Sequence, residues 1–492
     1  MNNKLAITLL AAGVFLSGCG LLGPSYQQPQ LNAPVNWAHA PTAITPTESV
    51  AAMAWWKKFN DPQLNQLIKS ALTNNNNLQI AIGNSLQAKA ALSKIQMGWV
   101  PTMSLGAIGF TGQAFNPGYS NTSGNSMLNG GNLNNPQNFD GYAAGFIPSY
   151  SLNIFSQIKQ QELAKLNVKL QQQAINATRL TIVSQVSVSY FNLLGLTEQL
   201  RLQQQLLHDA QELRRYNQIQ YNSGSVAETN LVALDQYIND IQAKLPQLKN
   251  SLTQVENALQ ILTNNNPGQI KLQSTFAAIK DQQIIPANLP SQVLKERPDV
   301  AIAEYQLQIA NANIGAVTAQ FFPTINLTGM LGQGSLQLSN LLNAGGNFWA
   351  AQVGAAMPLL NLGLYTDIDK AKGGYYSAYY NYIQTVRNAF AQTDNALTAY
   401  GNWQQVSNHQ NQALTNAKRL LTLAQNQYRM GASAYSDTLG YQLNVDYALA
   451  NLNQTKIEQL NALVSVYQAL GGGSLAESQL TTVKKFGDSH DI

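Results

Sequence analysis

The sequence predicts a mostly helical fold with a small β part, written twice along the chain. Three observations support this. Segments of the first half recur in the same order in the second half, stretches of alternating apolar residues follow prolines, and two uninterrupted helical patterns each run for about 70 residues. Each half therefore follows one design: a helix, two strands, a long helix and a shorter helix.

Matched landmarks in the two halves indicate an internal duplication, because they keep their order along the chain. The pairs are Pro101 with Pro323, Pro148 with Pro358, Tyr221 with Tyr428, and Gly224 with Gly431. We expect a first repeat at 61–275, a linker at 276–297, a second repeat at 298–475 and a tail at 476–492.

The strands are predicted where the apolar period changes from helical spacing to two. Leu327 and Leu331 alternate with Asn326 and Thr328, so one face is apolar and the other is polar or small. This pattern is typical of a strand that faces lipid on one side. The expected strands lie near 101–114, 142–153, 323–334 and 348–360.

The long helices are predicted from about Asn153 to Tyr221 and from about Leu362 to Tyr428. At 1.5 Å per residue, a helix of roughly 70 residues is about 105 Å long, which a globular domain does not need. Each long helix ends at a Tyr-x-x-Gly turn. A shorter helix of roughly 40 residues follows each turn.

The first residues are typical of an export signal followed by a lipid attachment site. An apolar segment of about 12 residues follows Lys4 and is too short to span a bilayer, so we interpret 1–18 as a signal peptide. Cys19, the single cysteine, ends a pattern that resembles a bacterial lipobox. The alternative is a buried thiol in a short apolar segment. Lipidated Cys19 would begin an extended anchor segment at 19–60, and Gly20 after it favours the outer membrane.

The composition argues against nucleic-acid binding and catalysis. Charged residues form 11% of the chain and the net charge of +4 is spread without basic runs. The four histidines are scattered, and no nucleophile motif, Cys/His cluster or phosphate-binding loop accompanies them. We therefore expect no enzyme activity, no metal and no cofactor apart from the covalent lipid on Cys19. An exported hydrolase is the minor alternative.

Four strands cannot span a membrane alone, because an open sheet leaves unpaired backbone groups at two edges. No later run of 18 consecutive apolar residues offers a helical span. Bacterial barrels carry even strand numbers from eight upward, so a dimer or a trimer would close the sheet.

Several segments resemble the outer membrane factors, the TolC-type channels of tripartite efflux systems, and in particular their lipidated branch. They include WWKKFNDPQLNQLI at 55–68, ERPDVAIAE at 296–304 and LVSVYQALGGG at 463–473. The resemblance covers nearly the whole mature chain. It implies a homotrimer in the outer membrane of a Gram-negative bacterium, with a twelve-stranded transmembrane β-barrel and a long α-helical barrel of twelve helices in the periplasm.

The resemblance also implies partners and a task. The partners are a periplasmic adaptor, an inner-membrane transporter of the RND type and outer membrane lipids. The channel would conduct drugs or other small molecules passively, without an energy source of its own. A protein secretion channel of the same fold is the first alternative, and a periplasmic coiled-coil scaffold that does not span is the second.

Two groups of residues are candidates for these tasks. The turns at Gly224 and Ser225 and at Gly431 and Ala432 would form the periplasmic tip and receive the adaptor, since glycine closes a helix end and small neighbours expose backbone. Each could instead be a plain helix–helix turn. Leu421, Gln425 and Tyr428 lie about one turn apart near the end of the second long helix and resemble the constriction of related channels. Their alternative role is interhelical packing.

Overall fold

The computed structural model describes residues 23–30, 37, 50–114, 137–280, 296–341 and 346–476. The predicted signal peptide at 1–18 and Cys19 lie outside the described residues, as do 281–295 of the predicted linker and nearly all of the predicted tail.

Helices and strands follow one another in the predicted order twice along the chain, except that two helices, α1 and α2, stand before the strands of the first repeat where one was predicted. Their bounds are α1 Pro62–Asn74, α2 Asn76–Met97, β1 Thr102–Ala114, β2 Gln137–Leu152, α3 Ile154–Asn222, α4 Glu228–Leu262, α5 Pro298–Thr318, β3 Thr324–Ser335, β4 Gly346–Ala356, α6 Leu362–Arg429 and α7 Tyr435–Ala469.

The element bounds differ from the predicted ones at the second strand of each repeat. β2 starts five residues before the predicted 142, and β4 ends at Ala356 instead of 360. Pro358 explains the early end, because proline has no N–H to donate to a ladder. Its predicted match, Pro148, instead lies inside β2, where the pairing with β3 is interrupted. The two repeats therefore differ locally at this landmark.

The four strands form one antiparallel sheet in the order β1-β2-β3-β4. The register places four large apolar side chains in one row across the sheet: Leu105, Phe146, Leu331 and Trp349. All four are exposed within the chain. The other face carries polar rows such as Thr102, Ser149, Thr328 and Gln352. The same alternation also places large apolar side chains on it: Ile108, Ile147, Met330 and Phe348. The predicted apolar face is therefore present, whereas the second face is mixed.

Compact units do not follow the two sequence repeats. One unit consists of residues 1–27, 89–166 and 308–375, which include the whole sheet. The other consists of residues 28–88, 167–307 and 376–492. Each unit takes corresponding pieces from both repeats. The predicted boundaries at 275 and 298 therefore divide the sequence but do not divide the fold.

The largest core lies in the second unit and is centred on two tryptophans. Trp55 and Trp56 are fully buried, so they are core residues and do not form part of an interfacial aromatic girdle, the other role open to a Trp-Trp pair in a membrane protein. The Trp55 ring stacks on Tyr467 at 4.7 Å and meets the Trp56 ring edge-on at 5.9 Å. Aromatic pairs at these separations add to the free energy of burial.

Two buried arginines hold the chain that leaves α7. Arg297 donates to the carbonyl oxygen of Ala469 at 2.6 Å and forms an ion pair with Asp299 at 2.7 Å. Arg179 donates to the carbonyl oxygens of Ser474 and Ala476. The last carbonyl groups of a helix lack partners within the helix. Here the Arg297 guanidinium donates to the last one, Ala469 O, and the Arg179 guanidinium donates to carbonyl groups of the chain that follows. Arg297 and Asp299 thus have a structural role at the start of the second repeat.

Among the described helices, α3 contains one window of 18 residues that is long and apolar enough to cross a membrane. More than half of that window is buried inside the chain. Because a core helix meets the same test, this window is explained by its packing against the core of the second unit.

Replacing Trp55 by alanine should destabilise the second unit by about 3–5 kcal/mol, the usual cost of removing a large buried aromatic side chain. Thermal unfolding of the detergent-extracted protein, followed by circular dichroism, measures the change. Trp349→Ala is the matched control: its side chain is 76% exposed, so the unfolding temperature should stay close to the wild-type value. Equal losses in both variants would contradict the assignment of Trp55 to the core.

Candidate functional site at the hairpin turns

Both long helices end in the same hydrogen-bonded turn. Gly224 has a φ of +76° and Gly431 a φ of +75°, the left-handed conformation that favours glycine. In the first turn the N–H of Gly224 donates to Tyr221 O at 2.9 Å and that of Ser225 to Gln220 O at 2.8 Å. Gly431 and Ala432 donate to the equivalent carbonyl groups of the second turn. This pattern is a Schellman motif.

The predicted docking residues are all accessible. Gly224, Ser225, Gly431 and Ala432 are exposed, and a Cβ built on either glycine would meet no heavy atom within 4 Å. Each turn therefore presents small side chains and backbone to its surroundings, which is the geometry expected of a surface that receives another protein.

The first hairpin, α3 with α4, is held near its turn by an ion pair. Arg214 donates to both carboxylate oxygens of Asp235, at 2.9 and 3.1 Å. The hydrogen bonds from Arg214 hold the pKa of the Asp235 carboxyl below its usual value. Because both side chains are substantially exposed, solvent screens the pair, and it adds alignment more than stability.

Near the turns a cluster of three tyrosines lies where the first hairpin meets the second hairpin, α6 with α7, and the pair Tyr216–Tyr435 joins the two hairpins. The Tyr435 ring lies 4.8 Å from Tyr216 of α3 and 5.1 Å from Tyr428 of α6. Next to this tyrosine cluster, Gln220 Nε2 donates to Ser436 Oγ at 3.2 Å. The two turns therefore lie at the same end of the hairpins, as the duplication predicts.

The three predicted constriction residues have different surroundings. Leu421 packs on the apolar cluster of Leu414, Val445 and Ala448 between α6 and α7, which agrees with the alternative role of packing. Gln425 is partly buried, and Tyr428 is 46% exposed while it contacts Tyr435. Tyr428 therefore braces Tyr435 within the second hairpin, and Tyr435 in turn contacts Tyr216 of the first.

Sequence reasoning missed Tyr216, Tyr435 and Ser436, which complete the contact between hairpins. None of them has an identical match in the other repeat, so the duplication gives no signal for them. The available signal is position: Tyr428 and Tyr435 flank the second turn. Two aromatic residues beside a turn are candidates for mutual contact.

Farther from the turns, α3 and α7 form a seam of polar contacts, here called the α3–α7 seam. Asn461 Nδ2 donates to Asn192 Oδ1 at 2.9 Å, and Asn453 Nδ2 donates to Gln199 Oε1 at 2.7 Å. Neutral amides thus join the two hairpins, and this use accounts for part of the unusually amide-rich composition.

Within the described parts of the chain, no three His, Cys, Asp or Glu side chains come together as metal ligands would. The accessible turns and the contacts between hairpins are the features left for a functional site.

Comparison with known proteins decides the family. The model of the outer membrane efflux protein family matches residues 67–265 and 289–472, one match in each repeat. The chain belongs to this family. The resemblance drawn from the sequence motifs is thereby confirmed.

Individual relatives agree with this membership. The chain is 30% identical over 481 residues to the probable outer membrane lipoprotein SilC of Salmonella typhimurium, covering 96% of this chain and 99% of SilC. It is 28% identical over 469 residues to the toluene efflux pump outer membrane protein TtgI of Pseudomonas putida, covering 94% and 96%. The open state of the outer membrane channel MtrE of Neisseria gonorrhoeae superimposes with a TM-score of 0.78 at 26% identity, covering 92% and 98%.

These findings establish the main predictions about fold, location and class of function. The chain has the fold of the outer membrane efflux channels, is located in the outer membrane and serves as a channel component of an efflux system. Its relatives are channel proteins and are not enzymes.

Replacing Gly431 by alanine should loosen the second turn by about 1 kcal/mol, because a Cβ disfavours a positive φ. Hydrogen exchange of the amides around the turn should rise about fivefold, with little change elsewhere. Gly440→Ala is the control: Gly440 lies within α7 with open space around it, so alanine there should leave exchange at the turn unchanged. Unchanged exchange in Gly431→Ala would show that the turn does not depend on the left-handed conformation.

Proposed function

We propose that this protein is the outer membrane channel of a tripartite efflux pump and passively conducts drugs or other small molecules to the exterior. The observation that carries the proposal is the open four-stranded sheet with an apolar row across it, in a chain whose long hairpins end in exposed turns. The sheet supplies a lipid-facing surface. The turns supply a surface for a partner.

A homotrimer follows from the sheet edges and from the exposed aromatic side chains. β1 and β4 each pair with one neighbour in the described sheet, so hydrocarbon would meet unpaired backbone unless other copies close the ring. Three copies would give twelve strands. Tyr376 and Tyr380 of α6 are more than 60% exposed, and packing against a second copy would cover them.

The covalent lipid, an N-acyl and S-diacylglycerol group on Cys19, would reinforce this membrane placement. Asn311 of α5 donates to Pro24 O at 2.9 Å, and a Cβ on Gly23 would lie only 2.7 Å from Cα of Gly315. The segment after Cys19 thus packs on α5 within the unit that contains the sheet. Cys19 precedes Gly23 by four residues, which span at most about 14 Å when fully extended. The lipid on Cys19 would therefore lie near this unit.

The hairpin turns would dock a periplasmic adaptor, which in turn binds an inner-membrane transporter of the RND type. The sequence carries no nucleotide-binding loop or catalytic motif, so energy and substrate selection would come from that transporter and the protein would have no enzyme activity. Leu421, Gln425 and Tyr428 would narrow the channel near the tip. Gln425 is neutral, so we expect a constriction that lacks a charged ring at this position.

Small-molecule efflux is favoured over protein secretion because relatives such as TtgI serve efflux pumps. A non-spanning scaffold would have no use for the exposed apolar row of the sheet.

Native mass and conductance test the assembly. Protein extracted in mild detergent from separated outer membranes should have the mass of three chains and should form pores in planar bilayers. Loss of the gene should raise drug susceptibility without stopping secretion of any protein. A monomer that forms no pores would overturn the channel, whereas a lost secreted protein would favour the secretion alternative.

Removing the ring of Tyr435 should open the tip. An aromatic pair contributes about 0.5–1.5 kcal/mol, and Tyr216–Tyr435 is the pair that crosses between the hairpins, so its loss should raise the open probability roughly fivefold. Single-channel recording in planar bilayers measures this for Tyr435→Ala. Tyr441→Ala, a change of an exposed tyrosine on the same helix, should gate as the wild type does. If both variants open equally, the tyrosine cluster does not hold the tip.

A further inference from the structure

One position of the α3–α7 seam brings two acidic side chains together. Asp209 of α3 and Asp446 of α7 lie within hydrogen-bonding reach of each other. At the amide contacts Asn192–Asn461 and Gln199–Asn453, a donor faces an acceptor. At the acidic position two acceptors face each other, so the contact lacks a hydrogen atom unless one carboxyl is protonated.

The hydrogen bonds around the two carboxyl groups leave one oxygen without a donor. Both oxygens of Asp209 accept from Gln205 Nε2 at 3.1 Å, and Oδ1 of Asp446 accepts from Gln442 Nε2 at 3.0 Å. Oδ2 of Asp446 receives no hydrogen bond from the described residues. A buried acceptor without a partner is costly, whereas a proton on either carboxyl would join the two groups.

Among the described residues, neither carboxyl group forms an ion pair with a Lys, Arg or His side chain. Asp446 is 3% exposed and Asp209 is 9% exposed. Tyr237 of α4 and Tyr447 of α7 are the other titratable side chains of this neighbourhood, and burial raises the pKa of Tyr237 above its usual value. His208 precedes Asp209 but is exposed, and on α6, which packs on the other side of α7, Lys418 is exposed as well.

Burial and the neighbouring Asp209 together raise the pKa of Asp446 to about 7. Two carboxyl groups this close do not both ionise readily, because the second charge must form beside the first in a poorly hydrated site. The pair therefore binds one proton at a pH where isolated carboxyl groups have lost theirs.

We propose that Asp209 and Asp446 share one proton across the α3–α7 seam, and that losing it at alkaline pH loosens the contact between the two hairpins and favours opening of the tip. This inference deepens the proposed function, on which its last step rests: the shared proton is a pH-sensitive latch on the channel. Geometry carries it, through two buried carboxyl groups that face each other on helices of different hairpins.

The direction of the pH effect follows from proton binding. Asp446 binds its proton more tightly in the folded chain than in the unfolded chain, where its pKa is near 3.8. The contribution of Asp446 to the free energy of unfolding is therefore greatest at low pH and falls as the pH rises from about 4 to about 7. The latch is closed below pH 7 and weakened above it.

Asp446→Asn tests the latch, because its amide can donate to Asp209 at every pH. The substitutions Gln220→Cys and Ser436→Cys place one thiol on each hairpin, at positions that are in contact in the structure. The yield of a short bismaleimide cross-link between the two thiols then reports the distance between the hairpins. Yields are compared at pH 5.5 and pH 8.5, and each is divided by the yield of the Asp446→Asn protein at the same pH, which cancels the pH dependence of thiol chemistry. For the protein with Asp446 intact, we expect a cross-link yield equal to that of Asp446→Asn at pH 5.5 and a severalfold lower yield than that of Asp446→Asn at pH 8.5.

Asp437→Asn is the matched control, since it makes the same change at an exposed position of α7. It should follow the wild type at both pH values. Equal cross-link yields in the wild type and in Asp446→Asn at pH 8.5 would overturn the latch. Recovery of the wild-type yield at pH 8.5 on addition of Mg²⁺, but not in Asp446→Asn, would also overturn it, because a cation would then bridge the pair.

Conductance separates failure of the latch from failure of the proposed function. Cross-linking reports the hairpins whether or not the protein conducts. A pH-dependent cross-link without pores would leave the shared proton in place and contradict the channel. Pores with the same open probability in the wild type and in Asp446→Asn at pH 8.5 would contradict the coupling of the latch to opening.

Discussion

The carbonyl groups at the end of α7 are the constraint on which the second unit depends. Main-chain N–H groups of the following turn satisfy the carbonyl groups of Val466, Tyr467 and Gln468, but Ala469, the last residue of the helix, is buried and its carbonyl group needs side-chain donors. Arg297 and Thr393 both donate to Ala469 O, Arg179 binds the carbonyl groups that follow, and Trp55 Nε1 donates to Gly472 O at 3.2 Å. The donors come from four separate stretches of sequence. One buried helix end therefore fixes the position of most of the unit.

This constraint explains why an internal duplication gives compact units that cut across the repeats. Each repeat has long helices whose apolar faces cannot be covered by that repeat alone, so equivalent parts of both repeats pack together. The sheet is the clearest case, because β2 of the first repeat pairs with β3 of the second. A single repeat would leave one of these strands with an additional open edge.

The sequence predicts features that depend on local periodicity and misses those that depend on how helices are rotated against each other. Strand faces, long helices and the glycine turns at 224 and 431 follow from spacing alone. The burial of Trp55, the contact of Tyr216 with Tyr435 and the pairing of Asp209 with Asp446 depend on which face of one helix meets another. The early end of β4 at Ala356 lies between these cases, because Pro358 gives a local signal that the alternating apolar row obscures.

The contrast between the core and the seam explains how one chain combines a fixed region with a movable one. The core around Trp55 is held by burial of large apolar side chains, which water cannot replace on separation. Nearer the turns, α3 and α7 are held by a smaller apolar cluster that includes Leu206, Leu213 and Leu443, together with amide and hydroxyl hydrogen bonds. Each of these hydrogen bonds contributes only about 1 kcal/mol, because water re-forms it on opening. Hairpins joined in this way can separate near the turns while the core stays intact. The low content of charged residues fits this division, since ion pairs would make the seam's opening depend on salt at every contact. Proton dependence is instead confined to the single position where two carboxyl groups replace the amides.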